Sequence, residues 1–321
     1  MSFAPRNNLL AAACAMGGAM SFSFNDMLVK FLSGGYALHQ IVLMRGVVAL
    51  TVVLTVVFAL GPGWAALRTK RPGIHALRVF FLLMLNTTLF AALAAMPIAE
   101  ATALFFAAPM VIATLSYLVL GERVGPWRWA AVVIGLVGVV VILRPGVQAV
   151  QPAALLALMS AFSYAGLSLV TRRMGGTEAA STMTVYTQAG LLAISAVVGL
   201  TVGHGRFDVG VEDASLAFFL RAWAWPATQD LWVFLVIGVV SACGAFLLAQ
   251  AYRVGEAGLV APFEYIALPM AVVWGLVIFA ETPDGPAIAG MALIAGGGLL
   301  LIWRETRAAR PPTRPPAGGT G

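Results

Sequence analysis

The sequence predicts an all-α membrane protein of ten transmembrane helices, arranged as two inverted five-helix repeats with both termini in the cytoplasm. Three observations predict it. The 321 residues are 61% hydrophobic and 10% charged, with mean hydropathy +0.94, against roughly 45–50% apolar and about 25% charged residues in soluble domains. The charges gather in short segments between apolar runs of about 18–23 residues, each long enough to cross a hydrocarbon core of roughly 30 Å as a helix. One stretch near residue 100 also returns near residue 256, five apolar runs later.

Taken in order, runs bounded by Gly, Pro and charge predict helices near 8–31, 38–60, 76–95, 100–120, 127–143, 152–171, 181–202, 231–251, 257–279 and 286–303. Backbone amides in lipid must pair within their own segment, so even the β-branched run VVLTVV is expected to be helical. Helix 1 follows Arg6, and its apolar run continues past Cys14 to about Val29, which makes it a retained helix and not a cleaved leader. The expected organisation is a cytoplasmic N-terminus at 1–7, a first repeat at 8–143, an outside linker at 144–151, a second repeat at 152–303 and a disordered tail at 304–321, the last from its Pro/Gly-rich composition.

Cations orient the bundle. With the N-terminus inside, inner segments hold Arg6, Arg68, Lys70, Arg71, Arg78, Arg123, Arg128, Arg172, Arg173, Arg253, Arg304, Arg307, Arg310 and Arg314, while outer segments hold only Arg144, Arg206 and Arg221. Fourteen against three sets the topology, and it also accounts for the pI near 9.8 without a nucleic-acid partner. The longest loop, about 203–230, lies outside and carries Asp208, Glu212, Asp213 and Asp230 with Trp223 and Trp225 at the interface. Cys14 and Cys243 sit in apolar segments and read as packing residues.

The internal repeat pairs MPIAEATALFFAAP at 96–109 with YRVGEAGLVAPFEYIALP at 252–269, each running into a helix that closes on a glutamate, Glu122 or Glu281, before a further apolar helix. The unit is five helices, and an odd count makes the second copy enter from the opposite side. Arg45 early in helix 2, the stretch AAMPIAEATALFFAAPM, LGERVGPWRWAAVVIGLVGVVVIL at 120–143, and AYRVGEAGLVAPFEY with Glu281 beyond it carry a resemblance. In these the sequence resembles the drug/metabolite transporter superfamily, specifically its ten-helix EamA-type branch, over nearly the whole chain. The resemblance implies a secondary transporter of the inner membrane that exposes a midplane cavity to each side in turn. FAETPDGP in the second half lacks the basic residue of LGERVGP, as an outside loop should.

Ionisable groups in lipid are costly and need a partner, a wet cavity or a task. Asp26 and Lys30 stand four apart on helix 1 and can pair on one face, either as a self-neutralised structural pair or as a mixed-charge rim for a zwitterion, with Asn25 adding hydrogen bonds. Arg45 either snorkels outward, pairs with Asp26 or holds an anionic group. Glu264, beside Tyr265 and after Pro262, is the candidate proton-coupling group, its protonation tied to opening of one face of the cavity. Asn86, Ser163, Tyr164, Tyr186, Gln188, Gln250, Tyr265 and Trp274 complete the candidate substrate-binding set; each can equally act only as packing or polar glue between helices.

Glu100 and Glu256 suit helix N-termini, and Glu122 and Glu281 suit tight turns. Ala131-x-x-x-Gly135 and Ala292-x-x-x-Gly296 permit close helix contact within the fold or in a homo-oligomer. His39, His75 and His204 lack metal-ligand spacing, and no nucleotide-binding loop, zinc signature or nucleophile motif occurs, so no cofactor, metal or catalysis is expected. The expected partners are a small-molecule substrate and the lipid bilayer. The mixed-sign face of helix 1 favours an amino acid or related metabolite as cargo, with an aromatic vitamin such as a flavin as the alternative. The rival class is an intramembrane enzyme or lipid-handling protein using Asp26 and Glu264 as paired carboxylates.

Overall fold

The computed structural model describes residues 5–61, 63–69, 71–120, 125–145, 151–174, 178–208, 210–254 and 257–308. Glu122, Glu256, Arg123 and the tail at 309–321 lie outside the described residues. Crossings one to three are α1 (Pro5–Ser33), α2 (Leu38–Leu60) and α3 (Pro72–Ala95); the fourth is divided into α4 (Ile98–Phe105) and α5 (Ala108–Leu120), and the fifth is α6 (Pro126–Leu143). The second half follows with α7 (Pro152–Met174), α8 (Ala180–Val202), a short α9 (Ala214–Leu220) in the long loop after α8, α10 (Thr228–Val254), a crossing divided into α11 (Ala257–Glu264) and α12 (Ala267–Ile278), and α13 (Gly285–Ala308). Among the described residues, eight crossings have both the length and the hydropathy for a membrane, and the apolar part of α6, Trp129–Leu143, is a shorter ninth. α1 has the length, 29 residues, but interrupts its apolar run with Asn25, Asp26 and Lys30. Proline opens α3, α6 and α7, where its missing N–H removes no helical bond.

Two crossings expected to be continuous are broken. Pro109 and Pro269 stand second in α5 and third in α12, each just past the break. A proline cannot donate to the carbonyl four residues back and its ring crowds that carbonyl, so the preceding turn opens. The chain closes the gap with tighter bonds: the Ala107 N–H donates to the Leu104 carbonyl and the Met110 N–H to that of Ala107. In the second half the Tyr265, Ile266 and Leu268 N–H groups donate three residues back, to Pro262, Phe263 and Tyr265. The shared Pro-Met step aligns Pro109 with Pro269, so the extra residues of the second copy lie ahead of its break.

The packing repeats with the sequence. α1 lies along α10 as α3 lies along α7, while α2 meets α8, α4 meets α12 and α6 meets α13. Exchanging each crossing with the one five later converts the first two pairings into each other and returns the rest to themselves. That is the signature of a pseudo-twofold, and five crossings per half make it an inverted one.

Lipid tails are as apolar as leucine, so helices associate here by close packing. The α6–α13 seam brings backbones together at glycines: a Cβ on Gly138 would stand 2.7 Å from the Gly290 carbonyl oxygen, and one on Gly297 would stand 2.8 Å from the Ala131 carbonyl oxygen and 3.0 Å from the Gly135 nitrogen. The expected Ala131/Gly135 pattern thus serves a contact within the chain. On α13 the contact falls on Gly290 and Gly297 instead of the expected Ala292/Gly296 pattern, and a Cβ at Gly296 would meet nothing within 4 Å. Neighbouring glycines should therefore respond oppositely: Gly297→Ala lowers the unfolding temperature in detergent through an overpacking cost of about 1–3 kcal/mol, while Gly296→Ala raises it through up to about 1 kcal/mol of helix propensity.

Candidate functional site

Two interrupted helices that touch each other at the middle of a bundle put unwound backbone and half-helix ends where a ligand can be held. The side chains at these breaks are aromatic. Phe105 packs edge-on to Tyr164 of α7 with ring centroids 5.5 Å apart, and Phe106 packs on Tyr265 at 4.9 Å. Glu264 closes α11 between them and acts electrostatically on both the Tyr164 and Tyr265 phenols. The Tyr265 hydroxyl is buried without a hydrogen-bond partner among the described residues and fits only because α13 has a glycine opposite: a Cβ on Gly298 would fall 1.6 Å from it. Further along α12, Trp274 packs on Phe24 of α1 at 5.6 Å, and its indole Nε1 is likewise buried without a partner among the described residues.

A polar cluster lies beside this aromatic set. Arg45, 9% exposed, donates from Nη2 to Asn86 Oδ1 at 2.8 Å and from Nη1 to Asn25 Oδ1 at 3.3 Å, with its guanidinium 5.0 Å from the centroid of the Phe90 ring. Asn25 also accepts from Ser241 Oγ at 2.7 Å and donates to Asp26 Oδ1 at 3.0 Å. Arg45 therefore neither snorkels nor contacts Asp26 directly; the Asn25 amide stands between the two charges. Four crossings, α1, α2, α3 and α10, meet in this network.

Lys30 does not pair with Asp26. Its ammonium reaches Glu281 Oε1 at 2.7 Å and donates to the Met96 carbonyl at 2.6 Å, lying 5.2 Å from the centroid of the Phe279 ring. The other oxygen of Glu281 accepts from the Ile98 N–H at 2.9 Å, satisfying one of the orphan donors at the start of α4. An i,i+4 contact on one helix is worth a few tenths of a kcal/mol, whereas this position gives Lys30 a carboxylate, a carbonyl and a ring together. Glu281 so ties α1, α12 and the α3–α4 hairpin at one face of the bundle. Nearby, Arg144 bonds Asp284, which also caps α13 by accepting from the Ala287 N–H at 2.9 Å.

Residues 9–144 match the EamA-like transporter family. A riboflavin transporter of Rhizobium johnstonii is 34% identical over 250 residues, 78% of this chain and 76% of its own length. The chain belongs to the EamA-like transporter family. An S-adenosylmethionine uptake transporter of Rickettsia prowazekii is 27% identical over 285 residues, 89% of this chain and 90% of its own. A solved crystal structure shares the fold at TM-score 0.62 and 18% identity, over 95% of this chain and 99% of that one. This EamA-like protein is thus a multi-pass inner-membrane transporter of small molecules, and not an enzyme.

Other candidate residues of the transporter lie apart from the breaks. Tyr186 stacks on His75 at 4.6 Å and donates to the Leu67 carbonyl at 2.9 Å, at the opposite membrane face from Glu281. There Glu178 meets His75 at 3.6 Å and accepts from Thr69 at 2.8 Å. This cluster mirrors one at the face of Glu281, where Tyr36 donates to Asp230: in both, the residue before an Ala cap reaches the first turn of another crossing, Glu178 that of α3 and Tyr36 that of α10. Arg78, counted with the inner-side cations at the start of the helix expected at 76–95, lies inside α3 and donates to Thr171, Thr187 and the Met183 carbonyl. Ser163 back-bonds to the Met159 carbonyl at 2.8 Å and faces a separate groove. Gln188 and Gln250 are half-buried and join neither cluster. Hydropathy alone also missed α9, capped by Asp213 and pinned by Ser215, which donates to the Ala91 carbonyl at 2.8 Å.

Glu281→Gln strands the Lys30 ammonium, which is only 10% exposed, and is expected to cost toward about 3 kcal/mol, the lower end for a broken buried pair because Glu281 itself keeps 24% exposure. Adding Lys30→Met should restore much of the lost unfolding temperature. Arg144 and the Ala287 N–H hold the Asp284 carboxyl below its usual 3.8. Such a depressed carboxylate adds stability above its unfolded pKa and loses it as pH falls through the lower folded value. Melting followed below pH 3.8 should therefore show an acid step that Asp284→Asn removes.

Proposed function

We propose that the transporter is a secondary-active carrier of a flat aromatic metabolite of the flavin class, working by alternating access with its termini in the cytoplasm. The observation that carries this reading is the set of rings at the two helix breaks, supplied by Phe105, Phe106, Tyr164 and Tyr265, with two buried donors, Tyr265 Oη and Trp274 Nε1, that have no partner among the described residues. Rings hold a planar heterocycle by stacking and edge contacts worth about 0.5–1.5 kcal/mol each, and the two donors suit its carbonyl oxygens. Arg45 spends only some of its five donors on Asn25 and Asn86, leaving others for a polar side arm. The expected amino-acid cargo loses its main support, because Lys30 is committed to Glu281 and helix 1 keeps no opposed pair for a zwitterion. The riboflavin transporter at 34% identity agrees with the flavin reading.

Asp26 and Glu264 favour a second cargo, an aromatic metabolite bearing a positive charge, as the S-adenosylmethionine relative carries. Proteoliposomes loaded in parallel with riboflavin, S-adenosylmethionine and an amino-acid mixture separate the readings. Riboflavin flux is the expected result, and flux of amino acids alone would overturn the proposal. Trp274→Phe and Tyr265→Phe each keep a ring and delete a donor, and should weaken riboflavin binding by roughly 2–12-fold.

Glu264 serves as the proton-coupling group in this mechanism, its carboxyl exchanging a proton as the cavity opens. Glu264→Gln should abolish uptake driven by an imposed pH gradient while leaving riboflavin exchange intact. An unchanged dependence on the gradient would remove Glu264 from that role.

A further inference from the structure

A groove of about 540 Å³ opens on the side of the bundle between α3, α5 and α7, away from the helix breaks. Its rim residues Phe80, Met159 and Phe162 are half exposed in the middle of crossings, so the groove faces hydrocarbon. Its wall is fixed: Phe81 fills the space over Gly166, where a Cβ would come within 2.3 Å of the ring. Of the lining side chains only Ser163 and Arg173 are polar, and the Ser163 hydroxyl is spent on the Met159 carbonyl. Short of Arg173, a polar cargo would find no free side-chain donor along the groove. Hydrocarbon would lose nothing.

Arg173 stands at one end, exposed, with no carboxylate partner among the described residues. From Met159 to Arg173 the groove follows α7 for about 21 Å at roughly 1.5 Å per residue, enough to run through one leaflet of a core roughly 30 Å thick and reach its headgroups. Arg68 and Arg71 lie at the same end, the face that the charge bias places in the cytoplasm.

We propose that this groove binds one acyl chain of an anionic phospholipid of the cytoplasmic leaflet, with the lipid phosphate on Arg173. The chain lies against Phe80, Phe162 and Leu115, and the guanidinium receives the phosphate as a forked pair of hydrogen bonds. The site is distinct from the cargo site but adjoins it, since Ser163 lines the groove and the next residue, Tyr164, packs on Phe105. A bound chain would therefore brace the wall of the cargo site from the lipid side.

The test uses the full-length protein in nanodiscs of equimolar phosphatidylglycerol and phosphatidylcholine, with retained lipid identified by native mass spectrometry. Wild type should retain phosphatidylglycerol over phosphatidylcholine by roughly fivefold, the preference one arginine near a headgroup provides. Arg173→Gln should bring the ratio near parity. Val170→Trp, or Leu169→Trp if the first variant does not fold, fills the groove and should lower the number of retained lipids by one. Equal headgroup ratios in wild type and Arg173→Gln would overturn the assignment, as would an unchanged lipid count in the filled variant. Displacement of the retained lipid by saturating riboflavin would make the groove a cargo site and overturn it too.

Discussion

Hydrocarbon accepts and donates no hydrogen bonds, and that one constraint shapes this transporter. Each polar group inside the membrane must be answered by protein, at a cost of several kcal/mol if it is not. Arg45 is answered by two amides and a ring, Lys30 by a carboxylate and a carbonyl, and the first N–H of α4 by Glu281. Even the breaks at Pro109 and Pro269 are permitted only because they face each other in the interior, where tighter turns close most of the gaps. Polar chemistry is thus drawn inward, to the places where a cargo could use it.

The same constraint explains what was legible in the sequence. Crossings can be read because each needs a long, mostly apolar run, and the repeat because its two copies share a Glu-Ala start and a closing glutamate. Helix breaks were hidden because hydropathy sums straight across a proline. The partner of Lys30 is hidden for a related reason: spacing along one helix suggests Asp26, while Glu281 arrives from far along the chain. Tyr186 and Arg78 show the limit in the other direction, since a polar residue on an apolar helix looks alike whether it lines a cavity or ties two helices at the membrane face. Asn25, Arg45 and Asn86, by contrast, were singled out one by one and are found in a single network.

The pseudo-twofold relates the halves without making their chemistry equal. Tyr36 and Asp230 at one face occupy places that Glu178 and His75 occupy at the other, so an equivalent junction is built from a phenol and a carboxylate at the first and from a carboxylate and an imidazole at the second. Similar geometry with different groups lets one fold meet two different solutions, and it accounts for a repeat that is easier to see in packing than in sequence identity.

Gly297 and Gly298 sit side by side on α13 yet look in different directions, one onto the α6 backbone and the other onto the Tyr265 phenol. The first lets the α13 and α6 backbones touch; the second leaves room for the ring that hangs from the broken crossing. One short glycine run thus sets two distances at once, a helix-to-helix seam on one side and the depth to which a buried phenol can sink on the other. A methyl group at Gly298 would push that phenol, and with it the tight turn at Tyr265 and Ile266, off its seat.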